Sequence, residues 1–429
     1  MYRAAWAAIS GLSVVLATGP AQASPADLYG FGPRGQAMAG MGAAVGRGFE
    51  ATYGNPALLS YTRHRELSVG WQSVSFSLQA DGDNAPGDVS EDGLTGTFIG
   101  AVLPIPFGGF LEDRVTLGLG VFTPSSLIAR ARLLYPERIQ FPLLTDRSQT
   151  LNFNMGVGVD LGHGIRVGAG ALALAELTGT VVVRTDSSGR VGTAVDDQLI
   201  ATYAPIAGAA YSISEDTEVG LTFRGALEAD FDVVVQVYDL GSLVIPNLNI
   251  SGVAQYDPLQ LQAEIAHRFD QLTLAGGVTW KHWSAFEGWQ KATVECPASN
   301  PDCLALVPEP VGFKDVVIPR VGVMYDFSLS ENAKAQLRAG YAFEPSPVPE
   351  QTGLSNYLDS TRQVIAVGYG LELAEPLPPV RLDFFYQQQL LMPRKHEKAA
   401  GTDPANAGYP SVESSGHVFN SGVIAGVKF

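Results

Sequence analysis

The 429-residue chain is poor in the residues from which most chemistry is built. It has two cysteines and six histidines, and charged side chains make up only 16% of it. No histidine falls in a metal-spaced pair, so neighbouring residues assemble no ligand set. No G-x-S-x-G elbow marks a nucleophile. No catalytic constellation, metal site or cofactor is therefore expected. Basic residues are scarce too: 27 Lys and Arg stand against 43 Asp and Glu, a formal charge of −16. That sign argues against a nucleic-acid partner, whose phosphates need cations. Beyond the first 23 residues no apolar run is long enough to cross a bilayer as a helix.

What is present begins with a targeting segment. Arg3 is a basic start, Ala4 to Ala17 a short apolar stretch, and Ala21-Gln22-Ala23 an A-x-A cleavage site, so residues 1–23 read as a signal peptide. Past it, hydrophobicity is high for a chain with so few charges. It is spread over short alternating stretches. In Leu151 to Leu161 every odd position is apolar and every even one small or polar. Val115 to Phe122 repeats the pattern, and Leu259 to Phe269 does so with lapses at Ala266 and His267. A period of two gives one apolar and one polar face. Both a soluble sandwich and a membrane barrel alternate. The polar face here is full of Gly, Asn, Gln and Asp, as a watery or plugged lumen would be. Trp71, Trp280, Trp283, Tyr369 and Phe419 read as interfacial girdles.

Fourteen candidate strands follow, from Glu66–Leu78 to His417–Phe429. Their connections alternate. Leu161–Gly164, Ile213–Asp216 and Phe269–Gln271 are short, whereas Thr123–Ser148, Arg184–Val195, Asp232–Ala254, Ser284–Asp315 and Leu391–Gly416 are long. Short periplasmic turns and long extracellular loops are the mark of an outer-membrane barrel. The expected fold is all-β: a transmembrane antiparallel β-barrel of about 14 strands, residues 65–429, acting as a single chain.

Residues 24–64 break the pattern. Leu28 to Tyr61 is rich in Gly and Ala and ends in Asn55-Pro56-Ala57. It is too Gly-rich for a helix by propensity. Gly40-Met41-Gly42 lacks the strand and helix a phosphate loop requires. A linker would not carry Phe31, Met38, Met41, Val45, Phe49, Leu58 and Leu59, which want burial. The stretch reads as a plug inside the barrel. Asn-Pro-Ala reads either as the stop that fixes it or as an ordinary strand-entry turn.

This Gly/Ala-rich run closing in Asn-Pro-Ala resembles the N-terminal hatch of the FadL/TodX family, outer-membrane transporters of long-chain fatty acids and other hydrophobic compounds. Two further stretches are similar to that family. Ser346-Pro347-Val348-Pro349 follows a late strand, and Gly118 to Pro124 resembles its kinked third strand. The terminal Phe429 resembles the signal read by the barrel assembly machinery of the bacterial outer membrane. The resemblance implies capture of a long-chain fatty acid or other hydrophobic ligand by extracellular loops, movement of the hatch, and lateral release into outer-membrane lipid. The gap would lie at Gly120, Phe122, Thr123 and Pro124.

Residue by residue, the candidate groove is Leu127, Ile128, Leu133, Leu134 and Phe141 in one loop and Leu240, Leu243, Val244, Ile245 and Leu248 in another. These loops hold more apolar residues than exposed loops should. Arg166, Lys281, Arg362 and Arg381 face inward. They either meet a ligand carboxylate or simply line a solvated, plug-contacting lumen. Cys296 and Cys303 share one loop, and an oxidising compartment favours a disulfide between them. A structural or adhesive barrel without transport remains the rival reading.

Overall fold

The computed structural model describes residues 25–125, 134–145, 151–185, 191–238, 248–290, 310–374 and 378–429. The first strands are β1 (Glu66–Asp81), a three-residue β2 (Gly87–Val89), β3 (Leu94–Ile105), β4 (Val115–Pro124), β5 (Asn152–Gly162), β6 (Ile165–Thr185) and β7 (Val191–Ser212). Next come β8 (Thr217–Arg224), β9 (Leu227–Tyr238), β10 (Leu248–Asp257), β11 (Gln260–Phe269) and β12 (Leu272–Lys281). The last five are β13 (Val316–Ser330), β14 (Ala333–Glu344), β15 (Arg362–Leu373), β16 (Val380–Glu397) and β17 (Ser411–Lys428).

Fourteen of these form a closed antiparallel ring: β1, β3 to β8 and β11 to β17. It is sealed where β17 returns to β1, with Glu66 opposite Lys428 and Asp81 opposite Glu413. The other three are additions. β2 folds onto the β1–β3 hairpin, and β9 and β10 carry β8 and β11 onward as a ribbon.

The alternation in the sequence sets which way each side chain faces. In β1, exposed Leu67, Val69 and Trp71 alternate with buried Ser68, Gln72 and Val74. Ile99, Met155, Leu221, Ile265, Val321, Ile365 and Phe384 also face outward. Gln72, Asn154, Thr222, Arg224, Gln262, Glu264, Arg320 and Gln389 are buried. Apolar outside and polar inside inverts the soluble sandwich and defines a membrane barrel.

The strands run further at the long-loop end than the alternation suggests. β16 continues past Pro393 through a register shift between Leu391 and Arg394, so the expected Leu391–Gly416 loop shrinks to 398–410. The expected Arg184–Val195 loop is largely ladder, with Thr185 opposite Val191. Above the hydrocarbon no lipid selects apolar side chains, so the pattern fades while pairing persists. Trp283 is no girdle residue: it is buried, at 2% exposure.

The ring changes partners near Pro205. β7 pairs with β8 only from Ile206 to Ser212. Above that, β9 instead runs parallel to β6, Leu177 opposite Phe231 to Arg184 opposite Tyr238. Pro205 has no N–H to continue the ladder, and Gly225 N donates to its carbonyl at 2.8 Å.

The N-terminal segment fills the lumen. It holds α1 (Pro25–Tyr29), α2 (Gly32–Ala37), α3 (Ala51–Gly54) and two 3₁₀ turns, Gly48–Glu50 and Pro56–Tyr61, nearly all buried. Such short helices do not hold in water; here the wall supplies the packing. Phe31 meets Phe49 and Phe98 of β3 edge-on, at 5.7 and 5.5 Å between ring centroids. Gly32, at φ 74°, allows α2 to pass Glu50, since a Cβ there would stand 2.4 Å from Glu50 Cβ. Residues 1–23, Cys296 and Cys303 lie outside the described residues.

Candidate functional site: the path through the barrel

The Asn-Pro-Ala turn is built into the wall. Asn55 is extended, at φ −165° and ψ 106°, as the residue before a proline must be. Its Oδ1 accepts from Ala57 N at 3.0 Å and caps the following 3₁₀ turn. Its Nδ2 donates to Ala43 O at 2.7 Å, within the plug, and to Ala209 O of β7 at 3.0 Å. The approach requires glycine opposite: a Cβ on Gly208 would stand 1.9 Å from Asn55 Oδ1, and one on Gly168 2.3 Å from Ala57 N. Asn55 thus ties the turn both to the plug and to β7 of the wall.

Wall side chains grip the rest of the plug by its backbone. Glu264 accepts from Gly42 N at 2.9 Å and Ala44 N at 2.8 Å. Arg320 Nε donates to Ala39 O at 2.8 Å, and Arg224 Nε to Tyr53 O at 3.0 Å. Gln389 Nε2 donates to Leu28 O at 2.8 Å. These bonds satisfy buried groups that would otherwise be costly.

The four candidate head-group cations separate into three places. Lys281 and Arg362 come together at the upper end of the plug. Lys281 Nζ lies 3.0 Å from Asp27 and 3.1 Å from Glu344, and Arg362 lies 3.1 Å from the same Glu344. Arg166 lies at the turn end of β6, 3.8 Å over the Tyr61 ring and 3.7 Å from Asp160. Arg381 pairs with Asp383 at 2.7 Å. Each already lies within ion-pair distance of a carboxylate of the chain itself.

At the long-loop end lies a cluster that the sequence reading missed. Tyr256, Trp283, Phe286, Trp289, Phe313 and Tyr357 pack ring on ring, with Trp289–Tyr357 at 4.5 Å, Tyr256–Phe286 at 4.6 Å and Phe286–Trp289 at 5.1 Å. Burial pushes the Tyr357 hydroxyl up to about 12. Beside the cluster is a cavity of about 590 Å³ lined by Pro136, Trp289, Val311, Pro349, Leu354 and Tyr357 among others. Lys398 Nζ donates to three rim carbonyls, those of Gln351, Gly353 and Ser355, at 2.8–2.9 Å. The only available signal was the density of aromatic residues between Trp283 and Phe313.

Of the predicted groove, Leu134 packs in this aromatic cluster, and Phe141 lies deeper, with Phe122, Leu172 and Leu174. The segment at 134–145 is stitched to 345–361: Gln140 N donates to Asn356 O at 3.2 Å, and Leu358 N to Gln140 O at 2.8 Å. Leu248 begins β10. Leu127, Ile128, Leu133, Leu240, Leu243, Val244 and Ile245 lie outside the described residues.

The third strand of the ring, β4, carries Gly120, Phe122, Thr123 and Pro124. Its ladder to β3 is unbroken from Ile105–Val115 to Gly96–Pro124, and so is its ladder to β5 from Val115–Val159 to Phe122–Asn152. Gly120 and Phe122 are thus paired on both sides, whereas Thr123 and Pro124 are paired with β3 alone. The space above Gly120 is taken by Phe31, whose ring would stand 2.5 Å from a Cβ there.

Beneath the plug a second cavity, of about 230 Å³, is lined by Arg34, Arg47, Glu66, Arg381, Asp383 and Lys428 among others.

A closed fourteen-stranded barrel with an apolar outer face, shut from within by its own N-terminal segment, is an outer-membrane channel protein. The chain belongs to the outer membrane protein transport protein family (OMPP1/FadL/TodX), which it matches over residues 14–429. It is 24% identical over 424 residues to alkane uptake protein A of Marinobacter nauticus, covering 91% of this chain and 90% of that one. Its fold is similar to that of a Pseudomonas aeruginosa FadL homologue, with a TM-score of 0.59, 14% identity, and 93% and 97% of the two chains covered. It is also similar to the toluene transporter TodX of Pseudomonas putida, with a TM-score of 0.53, 14% identity, and 94% and 99% covered.

Proposed function

We propose that this chain captures hydrophobic molecules at the aromatic vestibule, passes them along the apolar upper lumen, and releases them sideways into the bilayer once the hatch shifts. It is an outer-membrane transporter of hydrophobic molecules. A long-chain hydrocarbon is the substrate class favoured here, in keeping with the name of the alkane uptake relative. The observation that carries this reading is the aromatic cavity between Trp289 and Tyr357, in a barrel whose interior also holds a packed apolar cluster of Phe31, Phe98, Phe122, Leu172 and Leu174. An apolar solute gains about 0.8 kcal/mol for each CH₂ it buries on this path.

Sideways release follows from the floor. The cavity below the hatch is charged and offers an alkane nothing. The wall gives way instead above Ile206 and Arg224, where the β7–β8 ladder ends and β9 pairs with β6. That seam replaces the third strand as the proposed exit. The cations at Lys281, Arg362, Arg166 and Arg381 serve the plug and the turns rather than a ligand head group. A single chain suffices, because the ring closes on itself.

The test is uptake of radiolabelled hexadecane by cells carrying the protein in their outer membrane, against cells carrying an unrelated barrel. A several-fold faster initial uptake is expected. Equal rates at equal surface levels would reject the reading in favour of a structural or adhesive barrel.

A further inference from the structure

Among the described residues, two wall amides differ from the glutamines of the same lumen. Gln72, Gln260, Gln262, Gln387 and Gln389 are each hydrogen-bonded, most of them to the plug. Asn152 and Asn154 are equally buried, at 0% exposure, yet none of their four amide oxygen and nitrogen atoms has a partner. They follow each other on the inward face of β5, roughly 7 Å apart by strand geometry. Their cross-strand neighbours carry no polar side chain. Asn152 lies opposite Phe122 on β4 and Leu174 on β6, and Asn154 opposite Gly120 and Leu172. A buried amide without a partner is costly, and two in one apolar cluster call for an explanation.

We infer that Asn152 and Asn154 form a subsite for the hydroxyl end of a long-chain alcohol, whose hydrocarbon tail lies along Phe122, Leu172 and Leu174. The inference rests on the uptake function proposed above and narrows its substrate class. An amide offers one acceptor oxygen and two donor hydrogens, and a hydroxyl is both donor and acceptor. The alcohol donates to one Oδ1 and accepts from an Nδ2. A carboxylate fits poorly, since it cannot donate and no cation is aimed at the pair. A bare alkane leaves both amides unpaired. Occupancy requires the segment at 134–145, whose Phe141 and Leu144 fill the same cluster, to yield.

The experiment compares initial uptake of labelled hexadecane and of labelled hexadecan-1-ol by cells carrying wild type or the Asn152→Leu/Asn154→Leu double variant at equal surface levels. Wild type should take up both. The variant should lose alcohol uptake about tenfold, as a site built to bond a hydroxyl does when that bond is removed, while hexadecane changes less than about twofold. Unchanged alcohol uptake would mean that the amides hold only water, and an equal loss for both compounds would mean a structural role; either overturns the subsite. If wild type takes up neither compound, the uptake function itself fails, which is a separate result. Should the double variant not reach the surface, Asn152→Ser and Asn154→Ser decide. An alcohol-to-alkane ratio equal to that of wild type in both overturns the assignment.

Discussion

Above the hatch the protein offers rings; below it, charges. The vestibule is walled by Trp289, Tyr357, Val311 and Leu354. The lower cavity is walled by Arg34, Arg47, Glu66, Arg381, Asp383 and Lys428. Both open into the same barrel, separated by a plug about thirty-five residues long. A solute stabilised in the first region gains nothing from the second. A continuous pore of one character would conduct in either direction. This arrangement accepts an apolar molecule and gives it no reason to continue downward. The hatch is the boundary between two solvents as much as a door.

Removing that boundary is the strongest way to break the contrast. Deleting Phe31 to Tyr53 should leave a folded barrel, because the ring strands carry their own hydrogen bonds. Ion conductance in planar bilayers should rise on the order of tenfold or more, since a plugged lumen becomes an aqueous one. Selective hexadecane uptake should disappear. An unaltered conductance would show that the plug does not close the channel.

A smaller change weakens only the upper region. Trp289→Ala removes a ring that touches Phe286, Phe313 and Tyr357. Truncating a buried aromatic anchor costs binding about 2 kcal/mol, or about thirtyfold in affinity. Hexadecane uptake at low concentration should fall accordingly, with conductance unchanged. A rise in conductance alone would place the residue in the barrier instead.

The smallest expected effect concerns the loop that roofs the vestibule. Asp359 is buried there, and desolvation raises its carboxyl above the ordinary range. A raised acid charges at a cost to the folded state. As pH falls, the folded loop takes up its proton before the unfolded chain does. Stability therefore increases as pH drops through the raised folded value, and the gain is complete near the ordinary Asp value of about 3.9. Asp359→Asn should flatten that slope in thermal melts of the detergent-solubilised protein across about pH 4 to 7. A slope identical to that of wild type would assign it to another group.

Much of this was open to a reader of the sequence. Wherever lipid meets one face, as along β5 and β17, the period of two survives intact, and the ring count of fourteen follows. The plug was legible because Phe31, Met38 and Phe49 are out of place in a Gly-rich linker. What escaped lies beyond the reach of periodicity. The aromatic vestibule is made from irregular loops, where Trp289 and Tyr357 meet without any spacing rule. The partners of Lys281 are Asp27 and Glu344, one in the plug and one on β14. The ladder beyond Pro393 and the partner change at Pro205 occur where a proline, read locally, ends a strand. On β4 the ladder runs unbroken to Phe122, and only Thr123 and Pro124 lie beyond its pairing with β5. A glycine on a wall strand invites close approach, and here the guest is Phe31.

The grip of the wall on the plug also has a consequence in time. Leu28 is held by Gln389, 361 positions later in the chain, Ala39 by Arg320, and Gly42 by Glu264. Contacts of such separation form only after the intervening chain has been brought together. The plug, synthesised before every strand of the ring, is thus the last to acquire its partners. Until the ring seals between β1 and β17, its apolar residues have no wall to pack against.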